Sequence, residues 1–348
     1  MNQINRSTKR LSLTATAIVA AALSFGLCAG ARPVLADPMK AAMLLPGSIN
    51  DQSWNAAGYA GLLKTKADGF DIAYTENVAD ADQAEALSDY ARRGFQVVMA
   101  HGGQFEAAAK QVAPQFPKTW FVIGSGSGFQ KPNVMSMDYA EEQFGCLLGV
   151  LAARMSKTGK IGGVYGLEGL ATIVAQAGGF RLCAMKTRPG IQVTFIYVKD
   201  MEDSAAAKEA ALSLIAAGAD VITGKLNAAQ SGIVQAGKER GVYVTGRSLD
   251  TSDAAPKVVL TNIVEYWDDM YSQAALQAKA GKLEPKFLAF GYDTADRTTG
   301  AALGYSKTSQ FNPAVPADVV AEVEKVKKQF ATGELKLAPT RNDARGGK

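Results

Sequence analysis

The chain has 348 residues, and its 37 lysines and arginines exceed its 33 acidic residues to give a formal charge of +4. Four of the basic residues and no acid lie in residues 1–36, so the rest of the chain is balanced at 33 of each sign and lacks the basic surface of a nucleic-acid-binding protein. The chain has one histidine, His101, and no spacing of residues typical of metal ligands, which argues against a histidine-ligated metal site. A Ser-His-Asp triad would have to use His101. We therefore expect neither a metal nor a cofactor.

Residues 1–36 are predicted to be a cleaved secretion signal. Basic residues precede an apolar run at 11–27, and the sequence Val-Leu-Ala at 34–36 fits a small-residue cleavage site, which makes Asp37 the first residue of a periplasmic protein. A membrane anchor is the alternative, but the apolar run is short for a span. A lipoprotein is also disfavoured, because Cys28 follows a leucine where lipidation sites prefer a small residue.

From residue 40 onward, predicted strands and helices alternate, which indicates parallel sheets covered by helices. The first series has strands at 40–45, 71–74, 97–100 and 120–123 and helices at 51–67, 81–93 and 104–116. The pattern then restarts, with strands at 161–165, 193–197, 221–223 and 242–245 and helices at 170–185, 204–217 and 229–239. We therefore predict two similar α/β lobes in one chain.

Three further strand-like runs are expected to carry the chain between the lobes, at 134–138, at 258–262 and near 287–294. Helices at 141–155 and 266–280 follow the first two, and a last amphipathic helix is predicted at 317–332. The predicted first lobe is 37–138 plus about 264–293, and the second is 139–263 plus about 294–340. The polar tail from Lys336 is expected to be frayed, and residues 341–348 are assigned to neither lobe.

The most informative segment is residues 51–61, DQSWNAAGYAG, where a strand gives way to a helix. The turn at 46–50 places Asp51, Trp54 and Asn55 at the carboxyl edge of a sheet, where ligands bind in open α/β folds. The indole offers a face for stacking, and the carboxylate and amide offer hydrogen bonds to the edge of a heterocycle. The segment predicts a site for a planar solute. The alternatives are a core tryptophan and helix caps at the two polar residues.

Further ligand-binding candidates share a position at or just past the end of a predicted strand. They are His101, Gly102, Asp138, Tyr165, Asn227 and Asp250. A glycine there lets the backbone approach a ligand closely, and the tyrosine is a candidate for a second aromatic face. The structural alternatives are a loop histidine with satisfied hydrogen bonds, a solvated loop for Asn227 and its neighbour Lys225, and a turn at Asp250. Trp267 is expected to lie in the core.

Cys146 and Cys183 remain after removal of the signal, and both fall in apolar helical patterns. An oxidising compartment permits a disulfide between them. Two buried free thiols fit the sequence equally well.

Several segments, in chain order, resemble the basic membrane protein family of ABC-transporter solute-binding proteins, which is related to purine nucleoside receptors. They are DQSWN at 51–55, HG at 101–102, LLGVLAAR at 147–154, KTGKIG at 157–162, GADVI at 218–222, GVYVTG at 241–246 and VLTN at 259–262. The resemblance implies a type I periplasmic-binding-protein fold, with two Rossmann-like lobes joined by three crossover strands. It also implies a ligand in the cleft, hinge closure, a monomer and an ABC permease as partner.

The chain departs from the nucleoside receptors where that family holds ribose. Ser248 stands where the first residue of an acidic pair is expected and leaves Asp250 alone, and Glu265 stands near an expected lysine. Gly124-Ser125 replaces an expected aspartate at the end of the strand at 120–123. We therefore expect a free purine base or a similar planar heterocycle rather than a nucleoside.

The alternatives are a nucleoside or sugar receptor of the same fold, and a sensor that reports its ligand to a membrane receptor. A more remote one is a nucleoside hydrolase, which would need Asp51, Asp138 and Asp250 to converge. No motif requires that convergence, so we expect a binding protein and not an enzyme.

Overall fold

A computed structural model describes residues 37–294 and 300–346. The predicted signal, residues 1–36, lies outside the described residues, as do residues 295–299, which follow the third predicted crossing, and the last two residues of the tail. No helix of the described residues has the length and apolar character needed to cross a membrane.

The first part of the chain alternates strands and helices as predicted. Its elements are β1 (Lys40–Leu44), α1 (Trp54–Ala67), β2 (Asp71–Thr75), α2 (Gln83–Arg92), β3 (Val97–His101), α3 (Glu106–Val112), β4 (Trp120–Gly124) and β5 (Val134–Tyr139). The second series follows as α4 (Glu141–Met155), β6 (Lys160–Tyr165), α5 (Ala171–Thr187), β7 (Gln192–Tyr197), α6 (Ser204–Ala216), β8 (Val221–Lys225), α7 (Gln230–Arg240), β9 (Tyr243–Ser248) and β10 (Val259–Glu265). The remaining elements are α8 (Trp267–Lys279), β11 (Phe287–Phe290), β12 (Ala301–Gly304), α9 (Ala317–Ala331) and α10 (Arg341–Arg345).

The strands form two sheets. The first has the order β11-β5-β4-β3-β1-β2 and is parallel throughout the described residues. The second has the order β12-β10-β9-β8-β6-β7, with β12 antiparallel to β10. Inner strands such as β3 and β8 are buried along their whole length, whereas the edge strand β2 is partly exposed. This is the burial expected when helices cover both faces of a parallel sheet.

The chain passes between the sheets three times. After β5 of the first sheet, α4 packs against α5 on the second sheet, and after β10 of the second sheet, α8 packs against α1 on the first. The third passage lies between β11 and β12. We call the first sheet with α1, α2, α3 and α8 the first lobe, and the second sheet with its helices the second lobe. The predicted type I periplasmic-binding-protein fold, with two Rossmann-like lobes, is confirmed.

Cys146 and Cys183, whose pairing the sequence left undecided, form a disulfide that joins α4 to α5. Glycines on both helices permit this close approach. A Cβ atom added to Gly145 or Gly149 would overlap the backbone of α5, and one added to Gly179 would overlap the backbone of α4.

The expectation of a frayed tail is wrong for residues 341–345. Thr340 and Asp343 form a capping box that starts α10, satisfying backbone N–H groups at the helix start. Ala344 is buried, and its carbonyl accepts a hydrogen bond of 3.0 Å from the Tyr197 hydroxyl. This short helix is therefore held by contact with the second lobe.

Candidate functional site

A small cavity of about 20 Å³ lies between the carboxyl edges of the two sheets. We call it the interlobe cavity. Its lining residues are Trp54, Gly102, Gly103, Gln104 and Ser125 from the first lobe and Leu170, Thr172, Met201, Lys225, Asn227 and Arg247 from the second. Space of this size holds about one water molecule, so the lobes are almost in contact and a larger ligand requires them to separate.

The helix that carries Trp54 begins later than predicted, because Asp51 lies before it and caps it. The Asp51 carboxylate accepts hydrogen bonds from the backbone N–H groups of Ser53 (2.9 Å), Asn55 (2.8 Å) and Ala56 (2.9 Å). The Asn55 side-chain amide also donates to Asp51 (2.9 Å) and accepts from the backbone N–H of Gly47 (3.1 Å). Neither Asp51 nor Asn55 is a lining residue of the cavity; both fix the turn that presents Trp54.

Trp54 is 3 % exposed and contacts both lobes. In the first lobe its ring stacks on His101, with centroids 4.0 Å apart and planes 18° apart, and meets Trp267 edge-on at 5.0 Å. In the second lobe the Arg247 guanidinium lies over the ring, with Cζ 4.9 Å from the centroid. A flat cationic group of one lobe therefore rests on the indole of the other.

His101 supports Trp54 from behind. Its Nε2 donates to the Trp54 carbonyl oxygen at 2.9 Å, and Nδ1 accepts from the Tyr271 hydroxyl at 2.9 Å. Burial lowers the pKa of His101 to about 3, so the imidazole is neutral. A Cβ atom on Gly58 would collide with this ring, which explains the glycine there. His101 is therefore a buried histidine with both ring nitrogens hydrogen-bonded, and it ends β3 rather than lying in a loop.

The next residue, Gly102, does line the cavity. Its φ of 149° lies in the positive range that favours glycine. The glycine thus brings the backbone after β3 to the cavity wall.

Two buried ion pairs stand at the second-lobe side of the cavity. Lys225, the last residue of β8, pairs with Glu141 at the start of α4. Arg247 on β9 pairs with Glu265 at 2.8 Å and donates to the Leu226 carbonyl oxygen at 2.8 Å. Both basic residues are lining residues, and both are neutralised by acids of the same chain.

Glu265 links the two lobes. Besides its ion pair with Arg247, it accepts hydrogen bonds from the Tyr139 hydroxyl (3.0 Å) and from the indole N–H of Trp267 (2.8 Å). It ends β10, immediately before the chain returns to the first lobe. Glu265, which stands near the position where the nucleoside receptors carry a lysine, therefore anchors Arg247.

Three other predicted residues occupy different surroundings. Asn227 lines the cavity and donates to Glu202 at 2.6 Å, while its carbonyl accepts a bond of 3.3 Å from Ser53 across the cleft. Tyr165 packs against aromatic residues of β7 and is not a lining residue. Asp250 holds its own loop through the Ser252 N–H and the Asn262 amide, both at 2.9 Å, also away from the lining.

The remaining candidate, Asp138, lines a neighbouring cavity instead. Sequence reasoning missed Arg247, Glu141 and Thr172 as site residues, and treated Glu265 as a departure. The sequence held part of the information needed to find them, because Lys225 and Arg247 stand at the carboxyl ends of adjacent strands.

The fold and cleft agree with comparisons to known proteins. The profile of the family described as ABC transporter substrate-binding protein PnrA-like, Bmp, matches residues 39–295. The chain is 30% identical over 299 residues to transcriptional activator protein med of Bacillus subtilis (strain 168), covering 85% of this chain and 90% of that one. It is 27% identical over 276 residues to a purine-binding protein of Brucella abortus (strain 2308), covering 79% and 75%.

Among solved structures, an ABC transporter system solute-binding protein from Conexibacter woesei DSM 14684 matches with a TM-score of 0.66 and 25% identity. The match covers 86% of this chain and 99% of that one. The predicted resemblance is confirmed, and the chain belongs to the Bmp family of PnrA-like ABC transporter substrate-binding proteins.

Proposed function

We propose that the protein is a periplasmic receptor that delivers a purine base or a similar planar heterocycle to an ABC permease. The observation that carries this proposal is the position of the Arg247 guanidinium of one lobe, whose Cζ lies 4.9 Å over the Trp54 ring of the other. Hinge motion separates such lobes. A heterocycle that enters between them gains an aromatic surface on one side and a planar cation on the other.

The geometry of this insertion is simple. Stacked carbon atoms lie about 3.5–4 Å apart, so an inserted ring moves the guanidinium from 4.9 Å to roughly twice the stacking distance from the indole. Stacking of a base on an aromatic side chain contributes roughly 1–3 kcal/mol, and a desolvated cation–π contact about 2 kcal/mol. Both contacts need a flat π-system, which a saturated sugar ring lacks.

The groups near the expected ribose site also favour a free base. Ser248 is buried with a φ of 66°, and Glu265 already contacts Arg247, Tyr139 and Trp267. Neither offers a free carboxylate or ammonium to a sugar diol. The name of the Brucella relative, a purine-binding protein, supports the same ligand class.

The transcriptional role in the name of the Bacillus relative finds no support in the charge of residues 37–348, which is balanced.

We also propose that the protein acts as a monomer without catalysis. The two bodies that move are residues 37–138 with about 264–293, and 139–263 with about 294–340.

N-terminal sequencing of protein from the cell envelope tests the export step, and a start at Asp37 is the expected result.

The ligand proposal is tested by calorimetry on protein stripped of bound solute by unfolding and refolding. The panel holds purine bases, oxidised purines, pyrimidines, nucleosides and sugars. We expect free bases to bind, Trp54→Phe to retain most of the affinity, and Trp54→Ala to lose about tenfold or more, as expected for loss of a stacking surface. Trp120→Ala is the matched control, because Trp120 begins β4 and is not a lining residue of the cavity.

Tighter binding of a nucleoside than of its base would overturn the argument from Ser248 and Glu265. Binding confined to sugars would overturn the ligand class. Release of base and sugar from an added nucleoside would show that the protein is an enzyme.

A further inference from the structure

A second cavity, of about 270 Å³, lies beside the interlobe cavity where β5 leads into α4. Its polar lining residues are Ser127, Asp138, Tyr139, Glu141, Glu142 and Thr172, and we call it the acidic cavity. Thr172 also lines the interlobe cavity, so the two cavities are neighbours. A ligand stacked on Trp54 has this space beside it.

The carboxylates of the acidic cavity outnumber the cations that face them. Glu141 is paired with Lys225, but the structure shows no ion pair to Asp138 or Glu142 within residues 37–294 and 300–346. The other nearby cation, Arg247, is neutralised by Glu265. Asp138 is 1 % exposed, and its described partners are the backbone N–H of Tyr139 (2.9 Å) and the Ser125 hydroxyl (3.3 Å). A buried carboxylate without a cation is unfavourable.

Burial has the expected effect on these groups. It raises the pKa of Asp138 well above its usual range; the neighbouring Glu141 charge adds to this shift, and the Lys225 charge, which is paired with Glu141, opposes it only in part. It also raises the pKa of Glu142 to about 7. A positive group placed in the cavity would reverse both effects.

Hydrogen-bonding capacity in the cavity is also unused. Thr172 is 6 % exposed and its hydroxyl has no hydrogen-bond partner among the described residues. Within the same part of the chain, Oε2 of Glu141 lacks a partner as well. Buried polar atoms normally find partners. A threonine hydroxyl, a free carboxylate oxygen and the Asp138 carboxylate together match the three N–H donors of a primary ammonium group.

A metal ion fits less well. The described residues contain no group of three or more His, Cys, Asp or Glu side chains arranged to hold one. The donor set also includes a hydroxyl and a backbone-bonded aspartate rather than converging carboxylates.

We propose that the acidic cavity binds a protonated amine of the ligand, so that the solute is a planar heterocycle carrying a positively charged side arm. The proposal rests on the function proposed above, since the heterocycle on Trp54 brings the arm to Asp138. Two observations support the ammonium site: the Thr172 hydroxyl and Oε2 of Glu141 have no hydrogen-bond partner among the described residues, and the carboxylates of the cavity outnumber the cations.

The test uses matched pairs of ligands in calorimetry at pH 7 and low salt. Adenine bearing an aminoethyl group at N9, or at N6, is compared with adenine bearing a propyl group at the same atom. Unsubstituted adenine is measured alongside. We expect at least one amine to bind about tenfold or more tightly than its propyl partner, since charge-assisted hydrogen bonds are roughly twice as strong as neutral ones.

Asp138→Asn should abolish that preference and weaken the amine about thirtyfold, as expected when one partner of a buried charge pair is removed. Asparagine can still accept the bond from the Tyr139 N–H, so the variant should fold, which thermal melting checks. Glu142→Gln is the second variant and should reduce the preference. Asp253→Asn, an exposed aspartate away from both cavities, is the control and should leave it unchanged.

The outcomes separate the two proposals. If unsubstituted adenine and the propyl compounds bind as well as the amines, and Asp138→Asn changes nothing, the ammonium site is refuted while heterocycle binding stands. If none of the heterocycles binds, the proposed function fails and the ammonium site falls with it.

Discussion

Replacement of Arg247 by methionine tests whether the buried ion pair with Glu265 organises the cleft. Arg247 is 1 % exposed, and its loss leaves the Glu265 carboxylate buried without its cation. Removing one partner of a buried pair destabilises proteins by about 3–5 kcal/mol. Because Glu265 keeps its bonds from Tyr139 and Trp267, we expect a loss of about 3 kcal/mol, at the lower end of that range.

Urea unfolding of Arg247→Met measures this loss, followed by tryptophan fluorescence and by circular dichroism to detect separate transitions of the two lobes. The matched variant is Arg247→Met with Glu265→Gln. It removes both charges, and its amide can still accept a hydrogen bond from Trp267, so we expect most of the stability to return. If the double variant is as unstable as the single one, the loss comes from packing over Trp54 rather than from the unpaired carboxylate. If neither variant is destabilised, the pair does not organise the cleft.

Two further predictions concern the folded state. Cys146 and Cys183 close a loop with a sequence separation of 37 residues, so their joint replacement by serine should lower the free energy of unfolding by about 4 kcal/mol, measured in urea; an unchanged midpoint would show that the disulfide is dispensable. The pKa of His101 is about 3 in the folded protein and 6.5 in the unfolded chain, so the unfolded chain binds a proton more tightly. The neutral imidazole therefore stabilises the fold at neutral pH, and this stabilisation is lost as the pH falls below about 6.5. The stability advantage of the wild type over His101→Gln, measured in urea, should therefore shrink by roughly 2 kcal/mol between pH 6.5 and pH 5, and a constant gap would refute the neutral buried imidazole.

The fold could be predicted because its signals are local and repeated. Continuous apolar runs such as residues 97–100 are long enough for a buried strand, and glycines such as Gly94 and Gly218, both at positive φ, follow the helices before them. Helix α10 could not be predicted in the same way. Its five residues are too few for a periodic pattern, and its stability depends on the packing of Ala344 against the second lobe.

The candidate site could be predicted only in part, because the strand-end rule gives the edge of a sheet and not the direction of a side chain. Tyr165 and Lys225 end adjacent strands and are paired in register, yet Tyr165 packs among aromatic residues and Lys225 lines the cavity. What separates them is the packing around each strand end, which the sequence pattern does not give. An ion-pair partner is harder still, since Glu141 meets Lys225 across 84 residues of sequence.

Apart from the bonds of Glu265 to Tyr139 and Trp267, the contacts between the lobes around the cavity suit a receptor whose closure depends on its ligand. They include the Arg247–Trp54 contact, a hydrogen bond of 3.3 Å from Ser53 to Asn227, and one of 3.5 Å from Asn55 to Glu202. Each is weak in isolation. A heterocycle that replaces the cation–π contact with two stacking surfaces adds differential affinity for the closed form, which is the quantity that shifts such an equilibrium. Arg247, anchored by Glu265 at the crossover, is therefore the side chain through which we expect ligand binding to be coupled to hinge closure.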